Sequence, residues 1–348
     1  MNQKKKRRKR IKKLKRKNNQ ENFLRNMANT KEIVRRIKSV GNTKKITKAM
    51  EMVAAAKMRR AVEAVLKTRT YANLSWTTVL NISRASGVGK HTHPLLTKKE
   101  KVEKVGIVLM TSNRGLCGGF NSAIVNKAIE SIKKYQTDKS IETEFILVGK
   151  KGLVVKSRYG HDIIAEFDKN DIASEVTEVT ALAKLIIDDF LNNKYDKVMV
   201  AYTDFVSTSQ QVPRIKQLLP IDIEAEDEYL GIVGKDTRVG LDKEYIEEKE
   251  KKYLKDEEKK RSFVFNYEPN AQEVLNQMIP RLIEVQLFQA LLESNASEHS
   301  ARMAAMHQAT DAAGDIITEL TLFYNKARQA AITNEIAEIS AGANALAE

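Results

Sequence analysis

The C-terminal segment, residues 270–348, carries the pattern that most constrains the fold. An apolar stripe runs from Leu275 to Ala331 in alternating steps of three and four residues, which is the spacing of a coiled coil. Three polar residues interrupt the stripe, namely Gln289, His299 and Thr310, and His299 is interpreted as a residue that fixes the register. No proline follows Pro280, so residues 281–348 can form one helix about 100 Å long. A helix of that length needs a long partner helix.

The N-terminal segment supplies a candidate for that partner. Residues 27–90 contain no proline, and Asn29 followed by Glu32 is a capping pattern that predicts a helix beginning near Thr30. Spacings of four and three residues define one helical stripe in this segment; its members are Ile46, Met50, Val53, Lys57, Ala61 and Val65. The two terminal segments therefore predict a pair of helices wound together.

The middle of the chain, residues 104–222, changes from helical to strand-like periodicity. The candidate strands are residues 105–110, 145–148 and 197–202, and the candidate helices are residues 121–135 and 175–192. Strands that alternate with helices are typical of a small α/β domain with a mostly parallel sheet. The sequence thus predicts an α/β domain inserted between the two terminal helices.

Charge is distributed unevenly along the chain. The formal net charge is +15, of which residues 1–26 carry +12 and the remainder only +3. We predict that residues 1–26 form a disordered basic tail, and that Met27 is a true start or a processing point. Residues 235–261 mix acidic and basic side chains at i,i+4 spacing and predict a solvated helical insertion.

The basic tail leaves a nucleic-acid-binding coiled-coil protein open as an alternative. Against it, the folded body is nearly neutral, whereas a nucleic-acid-binding domain carries its basic residues on a folded surface. The tail also has Phe23 as its only aromatic residue for stacking on bases.

Few residues suggest chemistry. Residues 113–121 form a Gly-rich turn between a strand and a helix, which is the place of a phosphate-binding loop, and this leaves a nucleotide-binding enzyme open as a third hypothesis. The turn lacks both phosphate-loop spacings, which favours a structural turn. Cys117 is interpreted as a packed thiol, and His91 with His93 lack further metal ligands. We predict no catalytic residues, metal or cofactor.

The terminal segments resemble the γ subunit of F-type ATP synthases. The N-terminal likeness lies in KEIVRRIKSV and NTKKITKAMEMVAAAKMR, residues 31–59, and the C-terminal likeness in LESNASEHSARMAAM, residues 292–306, and LFYNKARQAAITNEI, residues 322–336. The resemblance spans residues 27–348 and includes the Gly-rich turn. It implies an α/β fold in which an antiparallel coiled coil of the N- and C-terminal helices carries an inserted Rossmann-like domain.

The resemblance also implies a function. It implies the central-stalk rotor subunit, which couples proton-driven rotation of a membrane ring to ATP synthesis or hydrolysis at the β subunits. The implied partners are the α and β subunits of the catalytic hexamer, the ε subunit and the ring of c subunits, with one γ per complex and no nucleic acid. The implied location is peripheral, on the cytoplasmic face of a bacterial plasma membrane, with the matrix side of the mitochondrial inner membrane as the alternative.

Seven residues match positions that contact β subunits in that family. Met50 resembles a residue facing an acidic β loop, and Arg302 resembles an arginine near that loop. The remaining matches lie in the C-terminal helix and are Arg328, Gln329, Thr333, Glu335 and Glu338. The basic tail and the charged insertion at 235–261 are departures from the usual bacterial pattern.

Overall fold

The computed structural model describes residues 30–85, 93–99, 101–135, 141–173, 175–221, 268 and 270–347. The predicted basic tail and the predicted insertion at 235–261 lie outside these residues. The chain divides into two compact units. Unit 1 comprises Met1–Met50 and Met306–Glu348, and unit 2 comprises Glu51–Ala305.

Two long helices occupy the ends of the described chain. Helix α1 spans Thr30–Ala85 and helix α5 spans Ala271–Ala347. The predicted start of α1 near Thr30 is confirmed. At the start of α5, the Asn270 side-chain oxygen accepts a hydrogen bond from the Glu273 backbone nitrogen at 2.8 Å, which caps the first turn. Each helix contributes residues to both units.

In unit 1 the two helices pack side by side in opposite directions. Ile33, near the start of α1, is buried against Leu320 of α5. Further along α1, Thr47 contacts an earlier residue of α5, because the hydroxyl oxygens of Thr310 and Thr47 lie 2.8 Å apart. Residue numbers that rise in one helix while they fall in the other define an antiparallel pair, and the predicted coiled coil of terminal helices is confirmed.

The helical stripe of α1 lies within the helix as predicted, but two residues in its first half are exposed. The side chains of Ile46 and Val53 are 60% and 55% exposed, while the next residue in each case, Thr47 or Ala54, faces inward. A shift of one residue rotates the face by about 100°. Small residues at the inward positions allow close approach of the helices, which outweighs the gain from burying the larger side chains.

Unit 2 contains a five-stranded sheet in the order β3-β2-β1-β4-β5. Its elements are β1 (Lys104–Met110), α2 (Phe120–Tyr135), β2 (Glu142–Val148), α3 (Val154–Tyr159), β3 (Asp162–Phe167), α4 (Thr177–Leu191), β4 (Lys197–Phe205) and β5 (Gln211–Leu219). All neighbouring strands are parallel except the β4–β5 pair, which is antiparallel. The predicted α/β class and mostly parallel sheet are confirmed.

Both faces of the sheet are covered by helices. On one face, Ile107 and Leu109 of β1 pack with α2. On the other face, Val108 and Met110 belong to a larger cluster that includes α4 and Leu282 of α5. Alternate residues of β1 therefore face opposite cores, which is why the strand reads as a continuous apolar run. The carboxyl ends of β1, β3 and β4 meet at one edge of this sheet, and α5 passes there.

Candidate functional site

Helix α5 is buried on every side where it passes the sheet, in unit 2. All residues from 285 to 300 are buried, and within residues 293–300, which we call the buried polar segment, only Ala296 is apolar. A helix enclosed on all sides is ordinarily apolar, because each buried polar group needs a hydrogen-bonding partner. The buried polar segment therefore depends on partners supplied by the sheet.

Those partners come from the edge of the sheet where the parallel strands end. After β3, the Asn170 backbone oxygen accepts from the Asn295 amide at 3.2 Å. At the end of β4, the Thr203 backbone oxygen accepts from the Ser297 hydroxyl at 3.1 Å. In the β4–β5 turn, the Thr208 backbone oxygen accepts from Ser300 at 2.8 Å. Three separate stretches of the α/β domain thus each accept a hydrogen bond from a different side chain of α5.

Glu298 is the charged centre of the segment. Its carboxylate accepts from the Lys169 ammonium at 2.7 Å and from the Arg302 guanidinium at 2.8 Å. Burial by itself raises the pKa of Glu298, but the two adjacent cations outweigh burial and lower it, so the carboxylate is charged. Lys169 is itself buried, and its ammonium also lies 5.5 Å from the ring centre of Phe120.

Asp171 connects both long helices to the loop after β3. Its carboxylate forms an ion pair with Lys57 of α1, and this hydrogen bond lowers the pKa of Asp171. Its backbone oxygen lies 2.7 Å from the Nε2 atom of His299 in α5. Burial lowers the pKa of His299, which keeps the ring neutral. The residue interpreted from sequence as fixing the coil register thus contacts the loop of the α/β domain.

A second carboxyl group, Glu293, is buried beside the Asp204 carboxyl, and the charge of Lys216 offsets only part of the rise in its pKa. Burial and the adjacent Asp204 carboxyl raise the pKa of Glu293 to about 8. Asp204 is paired with Arg214 of β5, whose Nε lies 2.7 Å from a carboxylate oxygen of Asp204. Gln289 donates to Glu293 at 3.4 Å and accepts from the Thr68 hydroxyl of α1 at 2.7 Å.

The end of α5 in unit 1 has the opposite character. Every residue from 328 to 343 is exposed. Three isoleucines at spacings of four and three residues share one side of the helix; Ile332, Ile336 and Ile339 are 48%, 62% and 69% exposed. Five of the predicted contact residues lie in this stretch: Arg328, Gln329, Thr333, Glu335 and Glu338.

The other two predicted contact residues lie elsewhere. Met50, in unit 1, is partly exposed and follows Thr47 on α1 by three residues. Arg302, in unit 2, has a side chain that is 12% exposed. Its guanidinium bonds Glu298 and also lies 3.4 Å from the backbone oxygens of Arg114 and Gly115. Arg302 is therefore part of the internal contact between α5 and the sheet edge.

The Gly-rich turn of residues 113–121 uses its polar groups within the protein. The Asn113 amide donates to the Lys169 backbone oxygen at 2.7 Å, and the Asn121 side-chain oxygen accepts from the Ser112 backbone nitrogen at 3.0 Å. Cys117 is free and buried. These contacts support the interpretation as a structural turn with a packed thiol.

Other candidate chemistry from the sequence has structural explanations where it is described. His93 is buried and accepts from the Leu95 backbone nitrogen at 3.2 Å as the cap of a short 3₁₀ turn, Pro94–Leu96, while His91 lies outside the described residues. Within the described ranges, no group of three or more His, Cys, Asp or Glu side chains is placed to bind a metal ion. No helix in those ranges has the length and apolar character needed to cross a membrane.

Sequence reasoning missed the cations and carboxylates of the sheet edge. Lys169, Asp171 and Asp204 lie in loop or strand-end positions with no motif to mark them. One signal was available, because polar residues occupy every side of α5 at residues 293–300, except for Ala296, without any break in helical periodicity.

Comparison with known proteins places the chain among close relatives. A family model described as ATP synthase matches residues 29–346. The "ATP synthase gamma chain" of Legionella pneumophila (strain Corby) is 37% identical and that of Nitrosospira multiformis 38% identical, each over 92% of this chain and 100% of the relative.

Two solved structures share the fold at lower identity. One is from the central stalk and c-ring of the Tetrahymena thermophila mitochondrial ATP synthase, with a TM-score of 0.54, 24% identity and coverage of 76% of this chain and 99% of that one. The other is from the Euglena gracilis mitochondrial ATP synthase in rotational state 3, with a TM-score of 0.57, 17% identity and coverage of 91% and 94%.

Proposed function

The chain belongs to the ATP synthase gamma chain family, and we propose that it is the central-stalk rotor subunit of an F-type ATP synthase. In this proposal the paired helices of unit 1 stand inside a hexamer of alternating α and β subunits. The α/β domain contacts the ε subunit and the ring of c subunits, and one copy of the chain serves each complex. Proton flow turns the ring and this chain with it, which drives ATP synthesis at the β subunits; ATP hydrolysis drives the reverse rotation.

The exposed end of α5 is the observation that carries this proposal. Three isoleucines lie on one side of this solvent-exposed helix and are exposed themselves. They form an apolar surface that a protein partner would cover. Charged and polar side chains surround it, including Arg328, Glu335 and Glu338. A partner that encloses the helix can contact all of these groups in turn as the helix rotates.

The chemistry of coupling follows from the unequal sides of this helix. A binding partner shifts a conformational equilibrium only if it contacts the two conformations differently. Driving a β subunit from 1:99 to 99:1 between conformations needs about 5.5 kcal/mol of differential interaction. Contacts that form with one β subunit and not with its neighbours supply this difference, and we assign them to Met50, Arg328, Gln329, Thr333, Glu335 and Glu338.

Arg302 has a different place in the proposal. Its guanidinium bonds Glu298 and retains 12% exposure of the side chain. We assign it to a contact near the same acidic β loop, made through the exposed part of the guanidinium while Glu298 fixes its orientation.

Catalysis belongs to the β subunits in this proposal, and the chain has no active site of its own. It is a peripheral membrane protein attached through the other subunits. The cytoplasmic face of a bacterial plasma membrane is the proposed location, in line with the bacterial sources of the relatives that are 37–38% identical.

The test of the contact assignment is Met50→Lys in the assembled complex, reconstituted into vesicles. The new cation beside an acidic β loop should loosen the coupling of ATP hydrolysis to rotation, so fewer protons should be pumped for each ATP hydrolysed. Met52→Lys is the matched control, since Met52 is exposed two residues further along α1 and is not assigned to β. Equal coupling in the two variants would contradict the placement of Met50.

The proposal as a whole is tested with the purified chain. We expect it to hydrolyse no ATP alone and to restore coupled ATP hydrolysis when added to the other subunits. Robust ATP turnover by the lone chain would contradict the proposed function.

A further inference from the structure

The contact between α5 and the sheet edge is made of directional bonds. Hydrogen bonds weaken steeply when donor and acceptor are misaligned, whereas apolar contacts depend little on direction. Asn295, Ser297 and Ser300 each bond a different stretch of chain at that edge. Turning α5 about its own axis by one residue, about 100°, breaks all of these bonds together. The polar contacts therefore fix the rotational position of α5 against the sheet.

The same edge fixes α1. The loop after β3 provides Lys169 and Asp171 within three residues of each other. Lys169 bonds Glu298 of α5, and Asp171 bonds Lys57 of α1. One short loop is thus ion-paired with both long helices, so neither helix can turn against the α/β domain without breaking an ion pair.

We infer that torque passes between the α/β domain and the long helices through this contact, which we call the joint. Lys169 is its positioning residue, because it ion-pairs the loop after β3 with Glu298 of α5. The inference rests on the proposed rotor function. A rotor whose α/β domain is driven by the membrane ring needs a rotationally rigid connection to the helices that act on the β subunits. The buried polar segment provides that rigidity at a place where an apolar core would allow the helix to turn.

Lys169 is central because no other described residue supplies a cation from the sheet edge to Glu298. Its ammonium bonds Glu298 at 2.7 Å and the Ser294 hydroxyl at 3.3 Å, and its side chain is 2% exposed. Arg302 also bonds Glu298, but it lies on α5 itself and so does not connect the helix to the sheet through this bond. Loss of the Lys169 charge therefore breaks the ion pair between the sheet edge and α5, while Glu298 keeps Arg302 as a partner.

The test compares Lys169→Met with Lys169→Arg in the assembled complex. Lys101→Met is the matched control, because Lys101 forms an exposed ion pair with Glu103. A bead is attached through Ser157→Cys, on the exposed surface of α3, and the hexamer is fixed to a surface. Two quantities are measured: amide hydrogen exchange of residues 168–171, and the angular variance of the bead at a catalytic dwell.

We expect Lys169→Met to speed exchange at residues 168–171 by about a hundredfold or more, the change that follows from breaking a buried ion pair, and to increase the angular variance. Lys169→Arg should keep both quantities near the wild-type values, and Lys101→Met should change neither. If Lys169→Met does not assemble, Ser300→Ala, which removes the two neutral hydrogen bonds of the Ser300 hydroxyl to Thr208 and Gln211, should increase both quantities by a smaller factor.

Faster exchange with an unchanged angular variance would overturn the inference, because the contact would then contribute only to stability. The wild-type complex separates this result from failure of the proposed function. If the wild-type bead does not rotate when ATP is supplied, the rotor function is contradicted. If it rotates and Lys169→Met leaves the angular variance unchanged, only the role of this contact in passing torque is contradicted.

Discussion

Two regions of the continuous helix α5 differ in burial: residues 285–300 are enclosed by protein, and residues 328–343 are exposed to solvent. In unit 2, residues 285–300 of the helix are buried on all sides, and residues 293–300 are held by hydrogen bonds and ion pairs. In unit 1 it buries a narrow stripe that includes Leu320, and residues 328–343 are exposed on all sides. Burial in these two stretches does not follow hydrophobicity, since the buried residues 293–300 are polar except for Ala296, whereas the exposed residues 328–343 include three isoleucines.

The largest effect is expected where a buried charge loses its partner. Glu298→Ala leaves the buried Lys169 ammonium without its carboxylate, which should lower the free energy of unfolding by about 3–5 kcal/mol. Urea denaturation of the purified chain measures this loss. Asp315→Ala, on the exposed side of α5 in unit 1, is the control and should change stability by less than about 0.5 kcal/mol. Similar losses in both variants would remove the distinction between the regions.

A smaller effect is expected from the apolar stripe of unit 1. Leu320→Ala removes a side chain buried against Ile33, at a position where water can fill part of the space. We expect a loss of about 2 kcal/mol, at the low end for such substitutions, visible as loss of helical circular dichroism at lower urea. A loss equal to that of Glu298→Ala would indicate that unit 1 is as tightly packed as unit 2.

The pH dependence of the free energy of unfolding should differ between the wild-type protein and the Glu293→Gln variant. The raised pKa of Glu293 means that the folded state binds this proton more tightly than the unfolded state. Its contribution to stability is present below the unfolded pKa of about 4.5 and is lost as pH rises toward about 8. The slope reaches at most about 1.4 kcal/mol per pH unit.

The glutamine of Glu293→Gln does not titrate, so the free energy of unfolding of this variant should not fall with pH in the way that Glu293 causes. The difference should appear between pH 5 and 8, because the pKa of Glu293 in the folded protein is about 8. Denaturation curves across this pH range measure the difference between the two proteins. Parallel pH profiles for wild type and Glu293→Gln would show that the buried carboxyl is charged throughout and that its environment differs from the one described.

The smallest effect on stability is expected at the exposed end of α5. Ile336→Ser changes a side chain that is 62% exposed, so the purified chain should lose less than about 0.5 kcal/mol. Under the proposed function the same change weakens contact with the hexamer, which is measured as reduced coupled ATP hydrolysis after reconstitution. Intact coupling in this variant would contradict an apolar contact at this position.

The sequence predicted the long helices well because their determinants are local. Capping patterns at Asn29 and Asn270, followed by long stretches in which Pro280 is the one proline, indicate helices whatever surrounds them. The central strands were also predicted, since both faces of β1 are buried and its apolar run is continuous. The face of α1 was not, because the partner helix decides whether Ile46 or Thr47 turns inward.

The edge strands β3 and β5 and the helix α3 escaped prediction for related reasons. Strand β3 alternates exposed and half-buried residues, so its apolar signal is weak. Strand β5 contains Pro213, which lacks a backbone donor and is tolerated at the edge of a sheet. The ion pairs of Lys169 and Asp171 could not be predicted, because they join residues more than a hundred positions apart.

Rotation of the chain itself tests the account most directly. The assembled complex is fixed through its catalytic hexamer, and a bead is attached to this chain through Ser157→Cys on α3. With ATP supplied, the account predicts stepwise rotation of the bead in one direction, at a rate that follows ATP turnover. A bead that stays at one angle while the same complexes hydrolyse ATP would contradict the account.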